Sequence, residues 1–206
     1  MMTETMRNLQ SLAIAMTMLL LPATALAGPA TVALKAKNGE VDRLLHNKVE
    51  KGSPEEAKQK ADIKAMAAGL LDYDELAKKS LASHWDKLTT AQRTEFVTTF
   101  RELIERNYVK QLRSNLDYQV QYKGEETNGD DVTVTTIVKV KSAGKNTDAE
   151  IVYKMHKVGN EWRVWDVITD EVPLTRNYKT QFNKIITEQS YDALIAKMKK
   201  KLAEKD

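Results

Sequence analysis

The spacing of apolar residues changes near Leu116, and this change restricts the folds open to the chain. Before it, apolar residues recur every three or four positions, which is the period of one face of an α-helix. After it, they alternate with polar residues, as in strands that have one covered and one wet face. Helical spacing returns after Pro173. The order predicts an α+β fold, with helices segregated onto one face of an antiparallel sheet.

The longest helix is predicted over residues 90–113, after a capping box formed by Thr89 and Gln92. Its apolar face consists of Phe96, Val97, Phe100, Leu103, Ile104, Tyr108 and Leu112. Shorter helices are predicted over residues 30–46, 54–69 and 70–85, and further helical segments follow Pro173.

Four strands are predicted between the long helix and the closing helical segments. Turn residues at 127–130, 142–146 and 159–160 separate them, and such short connections join antiparallel neighbours. The predicted sheet is therefore a four-stranded meander, curved around the helices that cover it. The last strand has apolar residues on both faces, so its pattern leaves open whether Trp162 or Trp165 points inward.

The first 27 residues predict a secretory signal peptide. Arg7 precedes a short apolar run at 12–21, and the A-x-A motif Ala25-Leu26-Ala27 follows it. The run is short for a membrane span, which needs about 20 apolar residues, and an uncleaved anchor is the alternative. We expect cleavage after residue 27 and a single domain over 28–206. The chain has no cysteine, which suits an oxidising compartment such as a bacterial periplasm.

The sequence offers little for catalysis or metal binding. None of its three histidines lies in a nucleophile motif such as G-x-S-x-G. The acidic cluster at 72–75 lacks the calcium-loop pattern and is better explained as the start of a helix. We therefore predict a protein that is not an enzyme and has no metal or cofactor. The one acid and phenol that could be nominated for proton transfer are Asp166 and Tyr178.

Charge narrows the range of partners. The chain has 32 Lys and Arg against 29 Asp and Glu, and the two signs are mixed along it, so no nucleic-acid partner is expected. The lysines between 197 and 205 would complement the end of a last helix, or would touch an anionic membrane surface transiently.

The apolar stripes fit either a filled core or the walls of an apolar pocket, because both use the same residue types.

Several separate segments resemble the MlaC family, the toluene-tolerance auxiliary proteins of phospholipid transport. They are LDYDELA at 71–77, LASHW at 81–85, LTTAQRTEF at 88–96, FRELIERNY at 100–108, VYKMH at 152–156, WRVWDV at 162–167 and NYKTQF at 177–182. They occur in the family's order over nearly the whole predicted mature chain. The sequence departs from the family pattern at 170–174, where E-G-V-S-L is common, and at Lys179, where arginine is usual.

The resemblance implies a monomeric periplasmic carrier whose fold is a cone of the nuclear-transport-factor-like or cystatin-like type. In that family the acyl chains of one glycerophospholipid lie in a deep apolar pocket. The carrier moves this cargo between an outer-membrane lipoprotein complex and an inner-membrane ABC-transporter complex, which maintains outer-membrane lipid asymmetry. The phospholipid is thus expected as cargo and not as a cofactor.

Twelve candidate lipid-binding residues follow from strand parity, helical spacing and their places in the resembling segments. They are Phe96, Phe100, Leu103, Ile104, Tyr108, Val134, Val138, Ile151, Tyr153, Val172, Tyr178 and Phe182. Two alternatives stay open: a carrier of another apolar lipid such as a hopanoid, and a protein-interaction module with a filled core.

Overall fold

The computed structural model describes residues 27–114, 118–142 and 145–204. The predicted signal peptide, apart from Ala27, lies outside the described residues, and so do Leu116 and Lys205. No helix in the described ranges combines the length and the apolar character that a membrane crossing requires.

The predicted α+β class is confirmed. The helices are α1 (Pro29–His46), α2 (Pro54–Leu70), α3 (Tyr73–Leu81), α4 (Thr90–Ser114), α5 (Leu174–Glu188) and α6 (Tyr191–Ala203), with a 3-10 turn at Ala82–Lys87. The strands are β1 (Tyr118–Asn128), β2 (Asp131–Ser142), β3 (Lys145–Val158), β4 (Glu161–Thr169) and β5 (Val172–Pro173). They form one antiparallel sheet in the order β1-β2-β3-β4-β5. The four-stranded meander is found, and β5 extends it; two residues are too few to show a period.

Two bulges curve the sheet. One interrupts the pairing of β1 with β2 between Tyr122 and Gly124. The other lies in β4, where Trp165 is an extra residue between Val164 and Asp166, each of which is paired with β3. A bulge bends its strand and increases the local twist, so the sheet wraps around the helices on its inner face.

The second bulge, at Trp165, places the side chains of Trp162 and Trp165 in different surroundings. Trp162 packs against the apolar cluster between the sheet and α1. Trp165 is buried, and its indole N–H donates to the Asp131 carboxylate at 3.1 Å. Because the extra residue changes the alternation after Val164, no single period fits β4.

The connection between α2 and α3 joins the helices to β4. Leu71 forms a parallel bridge with Val164, and the Asp72 N–H donates to the Val164 carbonyl at 2.8 Å. The Asp72 carboxylate accepts from the Glu75 N–H at 3.0 Å, so it caps α3 as the acidic helix start predicted. Its other oxygen lies 2.7 Å from Nε2 of His156 on β3.

Two further carboxylates fix helix starts to the sheet. Glu125 on β1 accepts from the Thr31 N–H in the first turn of α1 at 2.7 Å, and a Cβ added to Gly28 would overlap this carboxylate. Asp166 on β4 accepts from the N–H of Thr175 at 3.1 Å and from its hydroxyl at 2.6 Å, at the start of α5. Pro173 precedes α5 and has no side-chain acceptor of its own.

The acid and the phenol nominated for proton transfer, Asp166 and Tyr178, have different partners. Asp166 accepts two hydrogen bonds from Thr175, whereas the Tyr178 phenol interacts with Asn107 on α4. Asp166 therefore has a structural task at a helix start, and its bonds give no support to the proton-transfer pair.

The turn between β4 and β5 is strained. Its two central residues, Asp170 and Glu171, have φ angles of 50° and 62°. Positive φ at both central positions characterises the type I′ turn, which favours Asn-Gly or Asp-Gly because other side chains clash with the backbone there. Glu171 occupies the position at which the resemblance leads us to expect glycine.

We expect Glu171→Gly to raise the free energy of unfolding by about 1 kcal/mol, because glycine adopts positive φ without the steric cost. Urea denaturation of the purified variant measures this. The matched control is Glu126→Gly, at an exposed position in β1, which should lose about 0.5–1 kcal/mol because glycine weakens a strand. A Glu171→Gly protein no more stable than the parent would contradict the prediction.

Candidate functional site

The inner face of the sheet is closed at one end. Val132, Val134, Met155 and Val164 are at most 4% exposed and pack under residues of α1 and α2. Thr136, the next inner-face residue of β2, is also buried, and its hydroxyl donates to the Ile151 carbonyl at 3.0 Å. This end of the inner face is ordinary core.

Beyond Thr136 the same face is open. Strand pairing places Tyr122 opposite Thr136, Val120 opposite Val138 and Tyr118 opposite Val140, so these side chains continue the inner row. The aliphatic and aromatic residues in this part are half-buried, and its tyrosines also pack against the neighbouring buried clusters. We call it the open inner face; it consists of Tyr118, Val120, Tyr122, Val138, Val140, Ile151 and Tyr153. Every member is aliphatic or aromatic.

Helix α4 leaves room over this surface. Its main packing partners are α2, α3 and α6, whereas α1 is the helix that packs on β1, β2 and β4. One α4 residue, Tyr108, reaches toward the open inner face and interacts electrostatically with Tyr118 and Tyr153. Tyr108 and Tyr118 also pack against the buried cluster that Val109 of α4 forms with residues of α1 and α2. The open inner face thus has a wall of helices beside it.

Four tyrosines supply the polar groups of this site. Asn38 donates its side-chain N–H to the hydroxyl of Tyr122 at 2.9 Å. The Tyr118 phenol interacts with the side chain of Asp42, and the Tyr153 phenol with that of Thr136. We call Tyr108, Tyr118, Tyr122 and Tyr153 the tyrosine band.

The surroundings of the band are poorly hydrated. Burial raises the pKa of all four phenols, in the case of Tyr108 to about 12, because the phenolate loses more solvation than the phenol. Yet Tyr108 and Tyr153 retain accessible surface. Surface that is accessible but poorly solvated is typical of a recess and not of the convex exterior, so we infer a recess whose floor is the open inner face.

Six of the predicted lipid-binding residues lie elsewhere, in a closed aromatic cluster. Phe96 and Phe100 are fully buried, and the Phe182 ring meets both at centroid distances of 5.5 and 5.4 Å. Tyr178 meets Phe100 edge-on at 4.8 Å. Leu103 and Ile104 are buried in the same cluster. The structure therefore places these six in a packed core between α3, α4, α5 and α6.

The other six predicted lipid-binding residues do not lie together. Val138, Ile151 and Tyr153 belong to the open inner face, and Tyr108 faces it. Val134 is fully buried at the closed end, while Val172 is 50% exposed on the short strand β5. Sequence reasoning missed Tyr118, Val120, Tyr122 and Val140 as site residues. The signal was present, since the alternation of β1 and its register with β2 put them on the same face.

Two solvent-open grooves lie away from the sheet. One, of about 760 Å³, lies between α4 and α6 and includes Thr94, Thr98, Glu102 and Lys199. The other, of about 500 Å³, lies at the ends of α1 and α2. Both are open to solvent and have charged residues in their walls, so neither suits an apolar ligand.

In the described ranges, no three Asp, Glu or His side chains are grouped as metal ligands.

Comparisons with known proteins agree on one family. A family model described as MlaC protein matches residues 36–200. The intermembrane phospholipid transport system binding protein MlaC of Haemophilus influenzae is 29% identical over 123 residues, which are 58% of this chain and 57% of that protein. The alignment thus spans little more than half of that relative's length.

A solved structure has the same fold. The phospholipid-binding protein of Ralstonia solanacearum, determined in complex with a phospholipid, superimposes with a TM-score of 0.68 at 20% sequence identity. The match covers 84% of this chain and 96% of that one. At this identity the likeness establishes the shared architecture.

The raised phenol pKa values predict a loss of stability in alkali. All seven tyrosines have pKa values raised by burial. An unfolded tyrosine ionises near pH 10, so stability that is complete below about pH 10 is lost as the pH rises toward the folded values, about 12 for Tyr108 and Tyr191. Tyrosinate absorbance, followed together with near-ultraviolet circular dichroism, measures this. Half of the tyrosinate signal developing at about pH 10 in protein that is still folded would contradict it.

Proposed function

Because the chain belongs to the MlaC family, we propose that it is a phospholipid-binding transport protein of the periplasm and not an enzyme. The single observation that carries the proposal is the open inner face, a continuous apolar surface left accessible beside the closed end of the same sheet. The Ralstonia solanacearum protein of the same fold was solved with a phospholipid bound.

The cargo's acyl chains lie on the open inner face, between the strands and the helices α1 and α4. Burying each methylene of an acyl chain contributes about 0.8 kcal/mol. Two long chains therefore supply enough free energy to hold a lipid outside a bilayer, provided that a surface of matching character receives them. Val138 and Ile151 offer such a surface, whereas Phe96 and Phe100 have no exposed area to give.

The protein acts as a carrier between the two membranes. The Haemophilus influenzae relative is named as the binding protein of an intermembrane phospholipid transport system. We place the mature protein in the periplasm, after cleavage behind residue 27, with residues 28–206 as one lipid-binding domain. Its partners are an outer-membrane lipoprotein complex and an inner-membrane ABC-transporter complex, which it contacts transiently as a monomer, and its transport maintains outer-membrane lipid asymmetry.

A protein-interaction module with a filled core is the competing function. The aromatic cluster alone would fit it, because Phe96, Phe100 and Phe182 leave no space between them. The open inner face does not fit it, since a filled core would cover Val120, Val138 and Ile151 as fully as Val134.

We predict that filling the recess abolishes lipid binding without unfolding the protein. Val138→Trp places a large ring on the open inner face and should lower the amount of phospholipid bound by about tenfold or more, because displaced methylenes lose their burial. Native mass spectrometry of the mature protein, incubated with phosphatidylglycerol vesicles, measures the bound fraction.

The matched control is Ile137→Trp, one residue away on the outer face of the same strand, where residue 137 pairs with Gln121 and Glu150. This variant should bind lipid as the parent does, and circular dichroism verifies that both variants are folded. A parent protein that takes up no phospholipid would overturn the proposed function. Equal lipid binding by Val138→Trp and Ile137→Trp would overturn the proposed location of the acyl chains on the open inner face.

A further inference from the structure

The tyrosine band occupies a position that an apolar ligand alone does not explain. Acyl chains need apolar contact only, yet phenol hydroxyls from β1, β3 and α4 are brought to one recess. Helix α1 faces the band with Asn38 and Asp42, four residues apart and both half-buried on the side of the helix that also carries buried Leu34 and Val41. Polar groups held this close to an apolar surface indicate a ligand with polar atoms at that depth.

We propose that the tyrosine band recognises the ester carbonyl groups at the head of the acyl chains, so that the protein selects diacyl ester phospholipids over ether-linked ones. The proposal rests on the proposed function and specifies the chemistry of its cargo. In a glycerophospholipid the two ester groups lie between the hydrocarbon chains and the phosphate. In the protein, the phenol donors of the tyrosine band lie beside the apolar residues of the open inner face, just as the ester groups lie beside the hydrocarbon chains in the lipid.

The hydrogen bonds within the band leave a donor available. Asn38 donates to Tyr122, so this bond uses a lone pair of the phenol oxygen and leaves the Tyr122 O–H proton for another acceptor. Burial keeps the phenols protonated well above neutral pH. A carbonyl oxygen is a neutral acceptor with two lone pairs, and two such oxygens per lipid can each meet a phenol.

The charge near the band favours a carbonyl over the phosphate. The Asp42 carboxylate interacts with the Tyr118 phenol and lies at the edge of the band. Asp42 has a second neighbour on the exposed side of α1, because Nδ1 of His46 lies 3.4 Å from its Oδ1 atom. An anionic phosphate beside Asp42 would be repelled, whereas a neutral carbonyl would not. The phosphate is therefore expected to lie farther out, toward solvent.

The test is a competition between two lipids that differ only in this linkage. Vesicles contain equal amounts of dioleoyl phosphatidylglycerol and its dioleyl ether analogue, which keeps the head group and the chain length but lacks both carbonyls. The mature protein is incubated with them, and the bound lipids are extracted and quantified by mass spectrometry. The parent should retain the ester lipid in about threefold to tenfold excess, as one or two neutral hydrogen bonds would produce.

Tyr122→Phe keeps the ring and removes the hydroxyl whose proton is available. It should bring the ester-to-ether ratio toward one, because binding of the ester lipid is weakened more than binding of the ether lipid. The control is Tyr191→Phe, since this half-buried tyrosine on α6 donates to the Gln92 carbonyl at 2.7 Å and lies outside the band. Its ratio should equal that of the parent.

A ratio near one in the parent would overturn the proposal, as would a Tyr122→Phe protein that keeps the parent's ratio. Equal loss of both lipids in a variant would also overturn it, because that result indicates a structural task for the hydroxyl. Failure of the parent to bind either lipid would instead overturn the proposed function.

Discussion

The edge-to-face packing of the Phe182 ring against the stacked rings of Phe96 and Phe100 is the contact on which the rest of the fold depends. It joins α4, which precedes the sheet in the chain, to α5, which follows it. Because α4 packs chiefly on other helices, its position relative to the sheet is set indirectly, through α2 and α3, which contact β4, and through the aromatic contact with α5, which contacts β4 as well. The aromatic cluster thus holds the helical layer at one end and allows the inner face to stay accessible at the other.

Carboxylates placed at helix starts connect the two layers. Glu125 and Asp166 extend from strands to the first turns of α1 and α5, and Asp72 caps α3 while it binds His156 on the sheet. An anion at a helix start is typically favourable by about 0.3–1 kcal/mol. The larger effect is geometric, because each bond fixes where a helix begins relative to a particular strand.

The α+β class and the meander could be predicted because period and turn chemistry are local properties of the sequence. The two bulges could not, since an extra residue such as Trp165 shows only as a confused pattern in β4. The candidate site was predicted in part: Val138, Ile151 and Tyr153 share its face by parity alone. Phe96 and Phe100 were expected there as well, and the structure places them in packed core. Spacing tells which side of a helix is apolar, but not whether its neighbour is a side chain or an open recess.

The separation of the aromatic cluster from the open inner face has an evolutionary consequence. Substitutions at sites that share no contact usually have additive effects on stability, so residues such as Val120 and Val138 can vary in size without disturbing the contacts of Phe96 or Phe182. Relatives of this chain can therefore diverge in the breadth of their recess while the same helical core is inherited. The residues that keep the architecture recognisable are then not those that set the breadth of the recess.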